Sequence, residues 1–422
     1  MTDRRLIRLQ VENFRSLRSI DLPLGELTVL VGPNGTGKTN VLKVFGFLAD
    51  VIRFDLESAL AMRGGYDEVA FWGGSRPPET MRIALDAVWT DRATSTVPDE
   101  YELVIRRAAD LETPEGYRLS REETFAFQSA ESQARRIKVN GEDVTVTEQE
   151  EREEPPFAWR TAFDSPPPAD LDDSARRRLG IQRLSSGLST LPRLARTEGS
   201  EEVATVAQHL AGFRVFDVDV ESARQPSRFT GRATLGSDAA NLADFLLTLS
   251  LHHPDAWAQL AEDARRVVPN LDEIVFSQGG SSAREVRVEL RERGLRHTTP
   301  LADASFGTVR LLSLLALFHD PNPPALTCIE EIDHGLHPHA LSLIVERLRE
   351  ASQLSQYLVA THSPALADRL RPEELVVCER DEDGASLIPA VGLDHMREIV
   401  TAGDGLPLGE LWFSGSLGGG LD

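Results

Sequence analysis

Gly32-Pro33-Asn34-Gly35-Thr36-Gly37-Lys38-Thr39 matches G-x-x-x-x-G-K-[ST] at every fixed position. The glycines let the backbone curl until consecutive N–H groups converge, a cradle for phosphate oxygens at the positive end of the helix that follows. Lys38 would reach the β- and γ-phosphates of a nucleoside triphosphate, and the Thr39 hydroxyl would complete the shell of a Mg²⁺ ion. Far downstream, the apolar run Ala325-Leu326-Thr327-Cys328-Ile329 delivers two adjacent carboxylates, Glu330-Glu331. The first could support the metal while the second polarises an attacking water. A further apolar run, Tyr357-Leu358-Val359-Ala360, delivers Thr361-His362-Ser363-Pro364. A histidine at the carboxyl end of a strand is well placed to touch a γ-phosphate. Upstream of the carboxylates, Ala304-Ser305-Phe306-Gly307-Thr308-Val309-Arg310 opens an apolar helix that offers a second phosphate cradle. In isolation Ser305 reads as a plain helix cap, and Glu330-Glu331 more often as a solvated strand end.

The glycine loop means something only between a buried strand and a helix. Leu27-Thr28-Val29-Leu30-Val31 supplies the strand, and Val41, Val44, Phe45 and Leu48 stripe a helix from Asn40 to about Ile52. Before it, Leu6 to Val11 alternates as a half-exposed strand, and Asn13-Phe14-Arg15-Ser16 turns the chain into a second strand around Ile20 to Leu22. Short strands are predicted at Met81–Trp89, Tyr101–Arg106, Ile137–Val139 and Val144–Val146, the last two joined by an Asn140-Gly141 hairpin. Glu148 to Pro156 and Pro166-Pro167-Pro168 are too charged or too stiff to pack and read as a flexible surface insertion. Helical spacing resumes over Ser174 to Leu194, Glu201 to Gly212, Asn241 to Val268, and Pro338 to about Ser352, while Glu285 to Leu290 alternates as a strand. No internal repeat or heptad seam of useful length appears, so long coiled-coil arms are not expected. The predicted organisation is 1–63 (first half of the core), 64–173 (β-rich region with insertion), 174–268 (helical subdomain), 269–395 (second half of the core) and 396–422 (tail).

Composition narrows the partners. The apolar stretches are far short of a membrane span, and Met1-Thr2-Asp3-Arg4-Arg5 leads straight into a strand, which points to the cytoplasm. Cys328 and Cys378 sit in apolar runs and read as reduced core residues. A formal charge of −22 repels a phosphate backbone over most of the surface, so unaided tight DNA binding is disfavoured. Two local exceptions are the arginines at 4, 5, 8, 15 and 18, and Arg176-Arg177-Arg178. His334, His337 and His339 have metal-like spacing but read better as loop and helix-start residues. Trp412-Phe413 is either core or an exposed docking pair.

The ordered set of glycine loop, S-x-G-T-x-R, I-E-E with G-L-H-P, and T-H-S-P resembles the ABC-type ATPases of the RecF/SMC/OLD lineage. More narrowly, it is similar to the compact bacterial "AAA family" ATPases of anti-phage defence operons. The resemblance covers roughly Leu6–Arg63 and Phe213 to the C-terminus. It implies an α/β fold: an ABC-type P-loop ATPase head, with a mixed sheet, an antiparallel β-region, a helical subdomain and no long coiled coil. It implies ATP and Mg²⁺ as ligands, with Asn13, Phe14 and Arg15 beside the base and Gly32, Pro33, Asn34, Gly35, Thr36, Gly37, Lys38, Thr39 and Asn40 around the phosphates. Thr39 and Glu330 would hold the metal, with Glu330 standing where many relatives have Asp. Glu331 would be the general base and His362 the switch residue, and Ser305 and Gly307 would cap the γ-phosphate of the opposite protomer. An ATP-bridged homodimer or larger homo-oligomer follows, driving a separate protein effector, a nuclease or toxin encoded nearby. The alternatives are a RecF-like repair ATPase that binds duplex DNA, and an ATP-binding scaffold with little turnover. For a Q-loop glutamine, Gln128, Gln133 and Gln182 remain equal candidates.

Overall fold

The computed structural model describes residues 4–113, 116–128, 133–140, 143–150, 176–178, 199–232, 234–278, 285–403 and 405–418. The chain forms two compact units, one of Met1–Gly25, Gly35–Phe213 and Cys378–Pro389, the other of Glu26–Asn34, Arg214–Val377 and Ala390–Asp422. Both predicted halves of the core contribute to each unit, because the chain crosses between them inside the glycine loop.

The first unit is built on an antiparallel sheet of β1 (Arg5–Phe14), β2 (Leu17–Pro23), β4 (Thr80–Val88), β5 (Asp99–Ala109), β6 (Tyr117–Gln128), β7 (Gln133–Asn140), β8 (Asp143–Glu150) and β9 (Arg176–Arg178), in the order β2-β1-β4-β5-β6-β7-β8-β9. The apolar face of β1 is set by Leu9 and Val11, which are wholly buried, while Arg8 and Glu12 on either side of them are partly exposed and Gln10 between them is covered as well. Against the buried layer lies α1 (Lys38–Arg53), whose Val41, Val44, Phe45, Phe47 and Leu48 are all fully buried. Each such side chain contributes about 1.5–3 kcal/mol. Phe47 meets Phe14 at 5.8 Å, and Phe45 meets Phe213 edge-on at 5.6 Å, just past α4 (Ser200–Gly212). The short helices α2 (Leu56–Ala61) and α3 (Tyr66–Val69) follow α1, and a small hairpin of β18 (Glu379–Arg380) and β19 (Ser386–Leu387) completes the unit.

Several sequence expectations change here. β6 breaks apolar alternation because its buried face carries Arg121 and Glu123, paired at 2.8 Å, with Tyr101 donating to Glu123 at 2.9 Å. β8 extends into the predicted insertion as far as Glu150, and the rest of that insertion, with Pro166 to Pro168, lies outside the described residues. Arg176–Arg178, read as part of a helix, instead ladders onto the edge of β8, Val144 opposite Arg177. A free strand edge offers a complete set of backbone partners, which outweighs a weak helical spacing. The remainder of Ser174 to Leu194, including Gln182, lies outside the described residues, as does Gly141. Gln128 and Gln133 lie at the end of β6 and the start of β7.

The second unit carries a parallel sheet of β3 (Leu27–Val31), β10 (Arg214–Phe216), β15 (Leu326–Ile329), β16 (Gln356–Thr361) and β17 (Leu375–Val377), in the order β10-β15-β16-β3-β17. β3, β15, β16 and β17 are buried along their whole length, the pattern of parallel strands covered on both faces. α8 (Phe306–Phe318) is apolar on all sides and buried from Val309 onward. α9 (Pro338–Ser352) keeps the predicted bounds. The helix predicted over Asn241 to Val268 is two, α6 (Leu242–His252) and α7 (Pro254–Val267), because a residue before proline is driven out of helical geometry. So 174–268 is shared, α4 belonging to the first unit and α6 and α7 to the second. A second, antiparallel sheet joins β11 (Ser227–Arg228), β12 (Leu271–Gln278), β13 (Glu285–Glu292) and β14 (Thr299–Pro300). The remaining short helices are α5 (Val220–Ala223), α10 (Pro364–Ala367), α11 (Leu393–Ala402) and α12 (Leu408–Phe413).

An ion knot ties three helices of this unit. Asp263 of α7 accepts from His319 Nε2 at 2.9 Å and from Arg347 of α9 at 2.6 and 3.0 Å. Burial alone would raise the Asp263 carboxyl, but these hydrogen bonds outweigh it and hold it below its ordinary value. Its contribution is therefore complete above the ordinary carboxylate range and is lost as pH falls through the lowered folded value. Asp263→Asn should cost about 3 kcal/mol at neutral pH, with the difference in Tm from wild type shrinking in acid. A Tm difference that persists unchanged at low pH would contradict this. Among the described residues no helix is long and apolar enough to cross a membrane.

Candidate functional site

The parallel sheet sets the predicted residues side by side. Phe216 pairs with Ile329, Ile329 with Val359, and Thr361 with Val31. The residues that follow these strands, Asp217, Glu330, His362 and Gly32, therefore occupy one carboxyl edge in that order, where open α/β sheets bind ligands. Asp217 was not anticipated, since a three-residue strand is too short for periodicity to show.

Glu331 holds an unusual backbone, with φ 47° in the left-handed region that a non-glycine residue enters at a cost. Arg310, 3% exposed, stabilises it: one Nη2 donates to the carbonyls of Glu330 at 3.1 Å and Glu331 at 2.5 Å. Burial pushes the Arg310 guanidinium down, opposed by the charges of Asp217, Glu331 and Asp333. The Glu331 carboxylate itself is half exposed, with Oε2 3.5 Å from His334 Nδ1. It faces a cavity of about 460 Å³ lined by Asp217, Asp219, Phe306, Arg310, Glu330 and His334 among others. The Asp333 carboxylate accepts from Thr361 Oγ1, which also accepts from Ser363 N at 3.0 Å, and His362 is exposed.

Ser305 makes the N-cap of α8, accepting from Thr308 N at 3.1 Å, yet stays exposed. Gly307 is fitted against the loop after the carboxylates: a Cβ there would lie 2.6 Å from the Gly335 carbonyl. Gly335, at φ 72°, is in turn covered by the Phe306 ring, which packs 5.4 Å from His334. His337 caps α9 through Nδ1, accepting from His339 N at 3.2 Å. Among the described residues no three His, Cys, Asp or Glu side chains group as a metal site.

In the first unit, Gly35 and Gly37 take φ 85° and 98°, conformations that curl the loop into the start of α1. Gly37 is the cap and carries no side-chain oxygen to compete with an anion. Any Cβ on it would sit 2.1 Å from Ser386 Oγ and 2.8 Å from Ser16 Oγ. Asn40 Nδ2 donates to Ser16 Oγ at 2.8 Å. Thr36 and Lys38 are buried and Thr39 half-buried, while Gly32, Pro33 and Asn34 lead in from β3. The curled glycines fit a phosphate chain, and the Thr39 hydroxyl beside them is a hard oxygen donor of the kind Mg²⁺ takes. Phe14 departs from expectation, its ring being wholly buried in the core. Asn13 donates to Thr80 O at 2.8 Å, and the Arg15 guanidinium lies 5.3 Å over Trp72. Cys378 is buried, which pushes its thiol up to about 12 against the opposing charge of Lys38, so it is inert.

This geometry meets an independent likeness: residues 27–368, well over half of the chain, match the family described as "AAA domain, putative AbiEii toxin, Type IV TA system". The chain belongs to that family. Three curated relatives extend the likeness. An OLD nuclease of Thermus scotoductus is 43% identical over 76 residues, 15% of this chain and 14% of that protein. A chromosome partition protein Smc of Desulfitobacterium hafniense is 36% identical over 101 residues, 23% of this chain and 8% of that one. A DNA replication and repair protein RecF of Corynebacterium jeikeium is 40% identical over 65 residues, 15% of each. The matches thus span only a small part of each relative. Among solved structures, an Smc head bound to the C-terminal winged-helix domain of ScpA superposes with TM-score 0.52 at 16% identity, over 93% of this chain and 99% of that one. An Smc head from Pyrococcus furiosus gives 0.52 at 12%, over 95% and 100%. The AAA-domain chain therefore has the Smc-head fold and stands in the RecF/SMC/OLD lineage of ABC-type ATPases, as the motif order implied. Among its described residues the longest helix has 16 residues, too short for a coiled-coil arm.

Proposed function

We propose that this protein is an ATP hydrolase that works as an ATP-gated homodimeric switch in the cytoplasm. The observation that carries the reading is the single sheet edge on which Gly32, His362 and Glu330-Glu331 follow three neighbouring parallel strands. Lys38 and the glycine-loop amides hold the phosphates of ATP. Mg²⁺, when bound, neutralises charge on the β- and γ-phosphates. Thr39 and Glu330 support that ion. Glu331 orients a water and accepts its proton, and His362 senses the γ-phosphate. One chain cradles its nucleotide from one side, so exposed Ser305 and half-buried Gly307 of a second copy complete the site.

The family description names a toxin of a type IV toxin–antitoxin system, and with the resemblance to defence ATPases it supports a role in anti-phage defence. The switch would then control a separate effector, a nuclease or toxin. The RecF likeness keeps direct DNA binding as the second reading. Against it, the N-terminal arginines are largely neutralised: Arg4 lies near Asp91, Arg8 pairs with Asp21 and Arg18 with Asp383. DNA-stimulated hydrolysis with a steep salt dependence would favour that second reading.

The decisive measurement is the solution mass of Glu331→Gln with and without ATP·Mg²⁺. ATP should double it. A protein that binds ATP yet stays monomeric would overturn the two-copy site.

A further inference from the structure

We propose that the β18–β19 hairpin adds a cationic contact to the nucleotide site, the Arg380 guanidinium pairing with the phosphate chain of the nucleotide held by Gly35–Thr39. This rests on the nucleotide-binding reading of the glycine loop.

The hairpin is bonded to the segments flanking that loop. Ser386 N donates to Ser16 O at 2.9 Å, and the Ser386 and Ser16 hydroxyls share a hydrogen bond at 2.8 Å. Ser16 Oγ also accepts from Asn40 in the first turn of α1. The fit is close enough that Gly37 has no room for a Cβ on this side. The hairpin's position is therefore fixed with the loop's own.

Arg380 is exposed, and its orientation is set locally, with Nε donating to Gly384 O at 2.7 Å. That bond aims the free end of the fork at the tip of the loop: a Cβ on Gly35 would lie 3.8 Å from Arg380 Nη1. The turn around it is acidic, with Glu379, Asp381, Glu382 and Asp383. Yet among the described residues no carboxylate pairs with Arg380. Asp383 is taken by Arg18, and Asp381 Oδ1 accepts from Ala385 N at 2.7 Å. A guanidinium with no carboxylate partner among the described residues, set beside the glycine loop, is arranged for an anion from outside the chain. Its planar fork matches phosphate oxygens in pairs.

The test is equilibrium binding of ATP and ADP carrying a ribose fluorophore to wild type, Arg380→Ala, Arg380→Lys and Lys38→Ala, at several salt concentrations. Arg380→Ala should weaken both nucleotides by about tenfold, the worth of one charge-assisted contact, and flatten the salt dependence. Arg380→Lys should recover part of the loss, and unfolding without nucleotide should match wild type. Unchanged affinity in Arg380→Ala beside lost affinity in Lys38→Ala overturns this contact and leaves the glycine-loop reading standing. A wild type that binds no nucleotide overturns both. A lowered Tm without nucleotide, with affinity not recovered by lysine, would assign Arg380 to holding the hairpin and overturn the contact.

Discussion

Glu331→Gln should bind ATP as wild type does while its hydrolysis falls by about 10²- to 10³-fold, the usual worth of a general base. Glutamine keeps the length and shape of the side chain and loses the ability to accept a proton. The local backbone should survive the change, because its left-handed φ is held by Arg310 through main-chain carbonyls rather than through the carboxylate. The half-exposed carboxylate also has no buried partner to strand, its neighbour His334 being exposed as well. Affinity and single-turnover hydrolysis measured on one preparation separate binding from chemistry. Unimpaired hydrolysis would move the base elsewhere on the edge, with Glu330 and Asp217 the next carboxylates to try.

Arg310→Met should be the most damaging single change in the second unit that leaves every proposed ligand-binding residue in place. Methionine fills the space of the stem but strands two carbonyls and removes the charge between Asp217, Glu331 and Asp333. Removing one partner from a buried charged group costs about 3–5 kcal/mol, so Tm should drop by several degrees. Well below that Tm, hydrolysis should still be slower by about 10²-fold, because a general base displaced by an ångström loses its alignment. ATP affinity should change little. Arg310→Lys keeps the charge without the fork, and should restore Tm more than turnover. Wild-type turnover in folded Arg310→Met would limit Arg310 to a structural role.

The residues whose part is backbone geometry were legible in the sequence, since their spacing is the signal. Gly32 to Thr39, the apolar strand before Glu330-Glu331 and the bounds of α9 all follow from local pattern. What stayed hidden depends on contacts distant in sequence. Arg310 entered only as the closing residue of S-x-G-T-x-R, and its place under the carboxylate backbone needed the fold. β6 was invisible because a buried Arg121–Glu123 pair interrupts its apolar face, and β12 because a bulge between Leu271 and Glu273 shifts its alternation. The Trp412-Phe413 pair divides, Trp412 joining the core at 5% exposed and Phe413 standing 67% exposed.

Gly307 and Gly335 touch with no space for a methyl group, and the Phe306 ring closes the same contact from the other side. Packed surfaces this close cannot slide past one another; they move together or not at all. The segment proposed to meet a second copy's nucleotide is therefore geared to the loop bearing Glu331, the general base proposed for this copy. In the proposed dimer such a linkage would let each half report its partner's occupancy to its own chemistry, so that the two sites would fire as a pair rather than by independent chance.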